Sequence, residues 1–135
     1  MNKIHLISSD GYKAIDRIGE LLQEPSTLLI DVRLGAWSWR VNFRHTELST
    51  AYGERYRREG WCLGNLAKQG TNLVRIASPV VGIQRLVESL NGGHDLVLLY
   101  YDEQHVKEIC RLLLGVRPEV EVVKFVQPVR ESPAS

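Results

Sequence analysis

Four short apolar runs predict β-strands along the chain. Two of them are rich in branched side chains, as strands covered on both faces of a parallel sheet usually are. The runs lie between turn residues such as Ser8-Ser9-Asp10-Gly11 and Asn91-Gly92-Gly93. The four strands are predicted at Lys3–Ile7, Thr27–Val32, Asp95–Tyr101 and Val120–Val126, with weaker candidates at Trp61–Leu63 and Leu73–Ala77.

Between these runs, apolar residues recur at three- and four-residue spacing, which predicts four helices. The helices cover Tyr12–Leu22, Leu48–Arg58, Val80–Leu90 and Val106–Leu114. Strands that alternate with helices of this length predict an α/β fold with a mostly parallel sheet and helices on both faces. This is a three-layer sandwich of the Rossmann-like or flavodoxin-like type. We expect one domain over residues 1–126 and a flexible C-terminal tail over 127–135, which holds two prolines and small polar residues.

Length and charge exclude several classes of protein. The 135 residues suit one ordinary domain, and 17 Lys and Arg against 16 Asp and Glu give a net charge of +1, which indicates no particular partner. No apolar run approaches the ~18 residues needed to span a bilayer, so we expect no membrane segment. The N-terminal residues lack a signal-peptide pattern. We therefore expect a cytoplasmic location.

The cysteines and histidines do not form a recognisable metal or redox motif. Cys62 and Cys110 lack Cys-x-x-Cys spacing, and the four histidines are scattered, so we expect no metal and no cofactor. Cys110 falls on the apolar face of a predicted helix and Cys62 within a short predicted strand, so both are expected to be buried, inert thiols. The phosphate-loop, Gly-x-Gly-x-x-Gly, Gly-x-Ser-x-Gly and His-Glu-x-x-His motifs are absent from the sequence.

Polar residues directly follow the first three predicted strands. In an open parallel sheet, ligands bind beyond the carboxyl ends of the strands, near the point where the strand order reverses. We therefore expect a binding site among the residues that follow these strands, which are Ser8, Ser9, Asp10, residues 31–40 and residues 100–103.

The connection after the second strand is rich in arginine and tryptophan. From Arg33 to Arg58 the chain holds six arginines, no lysine and two glutamates, a local charge of +4. Arg33 and Arg40 are candidate anion ligands, because a planar guanidinium grips phosphate or carboxylate at two points. Trp37 and Trp39 are candidates for stacking on a base or another aromatic ring. The alternative is that the tryptophans anchor a loop and the arginines are solvated.

Two carboxylates are candidates for acid–base catalysis. Asp31 ends an apolar strand, where it acts either as a general base or as the group that orients Arg33 or Arg40. The orienting role is favoured because arginines are close and no nucleophile is evident. Asp102 and Glu103 follow the third strand, and we expect one of them in the pocket and the other as a cap of the fourth helix.

Several short motifs of the chain resemble the family known as domain of unknown function 488. Its members carry a strand ending in Asp-Val-Arg, then an arginine and a phenylalanine, a Leu-Gly-Asn or Leu-Gly-Gly segment and a later strand with a Cys and a Glu. Ser8 and Ser9 fall where the family has a Gly-His-Ser turn. The matching residues are Leu29–Arg33, Trp39, Arg40, Phe43, Trp61–Asn65, Gly82–Leu90 and Val97–Asp102.

The resemblance implies an α/β domain with an arginine-lined pocket, and it adds Asn65, Tyr100 and Arg111 to the candidate ligand-binding residues. Tyr100 stands where the family has its cysteine, and only Arg111 remains of its Cys-His-Arg, so a cysteine-based activity loses its thiol. A rhodanese-like domain also has the Asp-Val-Arg strand. It needs a cysteine after the later strand, where this chain has tyrosines, so a rhodanese-type sulfurtransferase is disfavoured.

Together these patterns predict a small protein that binds a phosphate-bearing ligand, either a nucleotide or nucleic acid. Arg33, Arg40 and Arg111 are expected to hold the anion, while Asp31 and Asp102 orient them or act as acid and base. If the protein is an enzyme, hydrolysis or transfer on a nucleotide-like substrate fits these residues. The alternative is a non-catalytic regulatory or interaction module whose 33–58 surface binds nucleic acid or a protein. On that surface we expect the outer face of the second helix to carry Arg55, Arg57 and Arg58. A homodimer is compatible with both interpretations.

Overall fold

The computed structural model describes residues 2–35, 40–68 and 70–125. These residues form five strands and five α-helices, with two 3₁₀ turns at Val41–Phe43 and Gly53–Arg55. The strands are β1 (Lys3–Ser8), β2 (Leu28–Asp31), β3 (Tyr56–Arg58), β4 (Leu96–Tyr100) and β5 (Glu121–Lys124). The helices are α1 (Ala14–Leu21), α2 (His45–Tyr52), α3 (Gly60–Leu63), α4 (Pro79–Asn91) and α5 (Glu103–Val116).

All five strands are parallel, in the order β3-β2-β4-β1-β5. The central β4 is buried along its whole length, which explains its unbroken apolar sequence. Apolar side chains from α1 and α2 cover one face of the sheet, and those from α3, α4 and α5 cover the other. The predicted three-layer α/β fold is therefore confirmed.

The connections that leave β2 and β4 run in opposite directions along the sheet. The chain leaves β2 through α2 toward β3 on one face of the sheet, and it leaves β4 through α5 toward β5 on the opposite face. Parallel connections are right-handed, so crossovers on opposite faces run in opposite directions. Their divergence opens a crevice beyond the carboxyl ends of the adjacent strands β2 and β4, where α/β proteins bind ligands. Arg33 and Arg40 follow the first of these strands, and Tyr101 follows the second.

The edge strand β3 was not predicted. Trp61–Leu63, predicted as a strand, belongs to helix α3, in which the Glu59 carbonyl accepts hydrogen bonds from the Cys62 and Leu63 amides. Gly60 lets this short helix approach the β2 connection, because a Cβ there would lie 2.0 Å from the carbonyl oxygen of Arg33.

The second weak strand, predicted at Leu73–Ala77, reduces to a single antiparallel bridge between Asn65 and Ile76. The tail predicted over 127–135 lies outside the described residues, as do Trp37 and Trp39. Within the part of the chain that the structure describes, no helix is long and apolar enough to cross a membrane.

Candidate functional site at the carboxyl edge of the sheet

A buried network of polar side chains closes the end of β2. Asp31 accepts hydrogen bonds from the Arg33 amide at 3.1 Å, Arg33 Nε at 2.8 Å, Arg33 Nη2 at 2.7 Å and the Tyr56 hydroxyl at 2.5 Å. Arg33 Nη2 also donates to the carbonyl oxygen of Phe43 at 2.6 Å. Because the side chains of Asp31 and Arg33 are only 1% and 4% exposed, this network holds the β2 connection from inside the protein.

The electrostatics of this network match its geometry. Burial alone would lower the pKa of the Arg33 guanidinium, but the hydrogen bonds and charge of Asp31 raise it above its usual value. Burial raises the pKa of the Tyr56 hydroxyl, and the neighbouring Asp31 carboxylate raises it further. Asp31 thus performs the orienting role, with a carboxylate that faces four donors of its own chain. Arg33, predicted as an anion ligand, points into this network.

Arg40, on the connection that leaves β2, contacts the turn after β1. Its Nη1 donates to the carbonyl oxygens of Ser9 and Gly11, both at 2.9 Å, and its guanidinium carbon is 4.7 Å from the centre of the Phe43 ring. The Ser9 amide in turn donates to the Tyr100 carbonyl oxygen at 2.8 Å, which ties the turn after β1 to the end of β4. The predicted residues Ser9, Arg40 and Tyr100 therefore meet at one place.

Other predicted residues at this edge make local contacts. Ser8 Oγ accepts from the Asp10 amide at 3.2 Å and shapes the turn after β1. Asp102 caps α5, since its carboxylate accepts from the Gln104 amide at 3.0 Å. The Tyr100 hydroxyl donates to Glu103 at 3.1 Å, and burial followed by this contact raises its pKa to about 12.

Two residues suggested by the family resemblance lie away from the crevice. Arg111 is on the outer face of α5, where its side chain is 70% exposed and pairs with Glu108. Asn65 organises the connection between α3 and α4, because its side-chain oxygen accepts from the amides of Ala67 and Arg75. Neither contact places a charged group toward a ligand at the crevice.

The prediction for Arg55, Arg57 and Arg58 was wrong in its secondary structure. Arg55 ends a 3₁₀ turn, and its guanidinium donates to the carbonyl oxygens of Leu22, Glu24 and Thr27, which ties β3 to the loop before β2. The other two arginines belong to β3, where the first contacts Ser89 on α4 and the second is exposed. The three guanidiniums thus do not share one helix face.

Sequence reasoning missed an ion pair on the far side of α3. The Glu59 carboxylate, 6% exposed, binds Arg85 of α4 at 2.7 and 2.8 Å, and the Arg85 guanidinium stacks over the Trp61 ring at 5.4 Å. The thiol of Cys62 lies 3.6 Å from the same carboxylate. Glu59 and Arg85 are 26 positions apart in the sequence, so no short motif indicates their ion pair.

The expectation of buried cysteines is confirmed. Cys62 and Cys110 are both buried and free, and burial raises the pKa of each thiol to about 11, the Cys62 thiol being affected also by Glu59. A thiol in such a setting is a poor nucleophile at neutral pH. Among residues 2–35, 40–68 and 70–125, no group of three His, Cys, Asp or Glu side chains could hold a metal ion.

Because comparison with known proteins finds no match, the candidate site is interpreted from its geometry. The chain has no significant match to a protein-family model, to a curated protein or to a solved structure.

Proposed function

We propose that this protein binds a phosphate-bearing ligand, a nucleotide or a segment of nucleic acid, at the carboxyl edge of the sheet, where the connection after β2 meets the turn after β1. One observation carries the proposal: the Arg40 guanidinium donates there to the carbonyl oxygens of Ser9 and Gly11. These two bonds orient the guanidinium. An oriented guanidinium is the side chain best suited to grip a phosphate.

The location of Arg40 supports the same proposal. Open α/β sheets usually bind ligands where the connections of two adjacent strands diverge, which is here beyond β2 and β4, and Arg40 lies on the connection that leaves β2. Trp37 and Trp39 precede Arg40 in the sequence and are the side chains proposed to stack on a base. Arg33 is assigned a positioning role, because its bonds to Asp31 and Phe43 hold the start of the connection that carries Arg40.

The proposal concerns binding and includes no reaction. Asp31 and Asp102, the two carboxylates predicted for acid–base chemistry, accept hydrogen bonds from donors of the chain itself. The alternative module that uses residues 33–58 as one basic surface has less support, because Arg33 and Arg55 are engaged with Asp31 and with backbone carbonyls.

The cellular location, the oligomeric state and the family of the protein are also part of what we propose. A cytoplasmic location agrees with two buried cysteines that form no disulfide, as is usual in reducing compartments. A homodimer and membership of the domain of unknown function 488 family stay predictions from the sequence.

A thermal-shift panel tests the proposed function. Wild type, Arg40→Ala and, as a matched surface control, Arg111→Ala are melted with phosphate, mono- and dinucleotides, cyclic nucleotides and short oligonucleotides. A ligand at ~100 times its dissociation constant adds about 2.7 kcal/mol, a shift on the order of 10 °C for a domain of this size. The shift is expected in wild type and Arg111→Ala and is lost in Arg40→Ala. A panel with no shift, or a shift that survives in Arg40→Ala, contradicts the proposal.

A further inference from the structure

Large apolar side chains are exposed around α3 and the first turn of α4. Their exposed fractions run from 43% to 79%, and they lie on the connection from β3 to β4, at the carboxyl edge of the sheet. Isolated exposed apolar residues are ordinary, but several on one folded segment mark an interaction site. We call this set the α3–α4 surface, and it consists of Trp61, Leu66, Leu73, Val80 and Val81.

Backbone contacts join the parts of the α3–α4 surface. The Ser78 amide donates to the Cys62 carbonyl oxygen at 2.8 Å, which sets the start of α4 against α3. The Leu66 amide donates to the Arg75 carbonyl oxygen at 2.8 Å, and Asn65 holds the Leu73 carbonyl at 3.1 Å. These hydrogen bonds hold the segments that carry the α3–α4 surface in fixed positions relative to one another.

Side-chain contacts continue this arrangement along α4. Arg85 lies four residues after Val81 and therefore next to it on the same helix face. The Arg85 guanidinium also stacks on Trp61, which links this face of α4 to α3. Gly82 allows the close approach, because a Cβ there would lie 2.4 Å from Leu63.

Most charged residues on the segment that carries the α3–α4 surface are basic. Between residues 58 and 85 the sequence holds four basic residues and one acid, in a chain whose net charge is only +1. That acid, Glu59, is buried in its pair with Arg85. The basic side chains that remain are exposed, at Arg58, Lys68 and Arg75.

We propose that the α3–α4 surface docks an acidic, apolar segment of a partner protein. Apolar side chains on the segment would cover the exposed leucines, valines and Trp61, and its carboxylates would face the three exposed cations. Four of the five apolar residues are aliphatic and offer no ring on which a nucleic-acid base can stack. A lipid surface fits less well, because the apolar face of α4 is turned into the core and membrane-surface helices present theirs outward.

The test uses a designed peptide and the full chain. The probe is a fluorescein-labelled, capped 18-residue helix with leucines at three- and four-residue spacing and glutamates elsewhere, followed by fluorescence anisotropy. We expect wild type to bind it, Leu73→Ser with Val80→Ser to weaken binding by about tenfold or more, and Arg75→Ala to weaken it less. Val116→Ser is the matched control, since Val116 is 60% exposed at the far end of α5.

Further measurements distinguish the docking of an acidic segment from binding to a membrane or to a second copy of the chain. Replacing the peptide's glutamates by lysines is expected to abolish binding, and Arg40→Ala is expected to leave it unchanged, which keeps the test independent of the crevice. Absence of peptide binding, or equal binding by the double variant, overturns the proposal. So does preferential binding to phosphatidylserine vesicles, or a wild-type dimer in sedimentation that Val80→Ser dissociates, because the occupant is then a membrane or a second copy.

Discussion

Arg33 and Arg40 come from the same connection after β2, yet the fold gives them opposite surroundings. Arg33 is buried and shares two hydrogen bonds with the Asp31 carboxylate, so its charge is neutralised within the chain. Arg40 is exposed, and its guanidinium donates to the carbonyl oxygens of Ser9 and Gly11. An arginine near a strand end is therefore a structural group, and not a ligand site, where a carboxylate of the chain neutralises it inside the protein.

The same contrast divides the carboxyl edge of the sheet. At β2 and β3, buried polar groups satisfy one another, and His105 of α5 extends the pattern by bonding the Leu63 carbonyl oxygen at 2.6 Å through Nε2. At β4 and β1, Asp10, Tyr101 and Arg40 are exposed. Substitutions at the ends of β2 and β3 should therefore change the free energy of unfolding. Substitutions at the ends of β4 and β1 should change ligand binding.

The largest expected effect comes from Arg33→Ala. It leaves the Asp31 carboxylate buried without its cation, and breaking a buried pair in this way costs about 3–5 kcal/mol of unfolding free energy. Urea denaturation followed by circular dichroism measures the loss, with Arg111→Ala as a control that changes nothing measurable. If Arg33→Ala fails to fold, Arg33→Lys keeps the charge, loses the two-point contact and gives an intermediate loss. A wild-type stability for Arg33→Ala would contradict the structural role.

A smaller loss is expected for Tyr56→Phe. The substitution keeps the ring in the core and removes the hydroxyl that donates to Asp31 at 2.5 Å. A hydrogen bond to a buried charge contributes about 1.5–3 kcal/mol, and the same denaturation experiment detects that change. Tyr52→Phe serves as the control, because Tyr52 lies outside the Asp31 network. Equal stability of Tyr56→Phe and wild type would show that the hydroxyl adds nothing to it.

The stability of the buried half should also depend on pH. Burial lowers the pKa of His105 below its usual 6.5. The unfolded chain therefore takes up a proton near pH 6.5 while the folded chain does not, and stability falls as the pH drops through this window toward the folded pKa. His105→Gln removes that contribution and should flatten the decline in melting temperature between pH 7 and pH 5. An unchanged slope would exclude His105 as its source.

The smallest stability change is expected for Arg40→Ala. It removes two hydrogen bonds from an exposed guanidinium to backbone carbonyls, and we expect about 0.5–1.5 kcal/mol in the absence of ligand. The measurement is denaturation of the unliganded protein, alongside Arg33→Ala. A loss as large as that of Arg33→Ala would remove the distinction between the two arginines.

The fold was predictable because its central strands carry a strong apolar signal. β2 and β4 are buried on both faces and read as unbroken apolar runs. The edge strand β3 has the opposite character. It spans only Tyr56–Arg58, and two of its residues are arginines, so no apolar run indicates a strand there. Trp61–Leu63 is apolar like a strand but is helical in the structure, where Gly60 lets it pack closely against the β2 connection.

The candidate site was predictable in its location and less so in its partners. The Asp31–Arg33 bond joins residues two positions apart, so the sequence could indicate it. Tyr56 also belongs to that network and is 25 positions from Asp31 in the sequence. No short sequence motif joins residues so far apart. Arg40 reaches Ser9 across 31 residues, and only the tertiary fold, which places the turn after β1 beside the β2 connection, brings them together.

Nuclear magnetic resonance of the arginine side chains tests the central contrast most directly. The Nε–H resonances of Arg33 and Arg40, assigned with Arg33→Lys and Arg40→Ala, are followed while inorganic pyrophosphate is titrated into the ¹⁵N-labelled protein. We predict that the Arg40 resonance shifts and saturates, while the Arg33 resonance stays in place. A saturable shift of Arg33 with Arg40 unmoved, or no shift of either resonance, would contradict the assignment of Arg33 to structure and of Arg40 to the ligand.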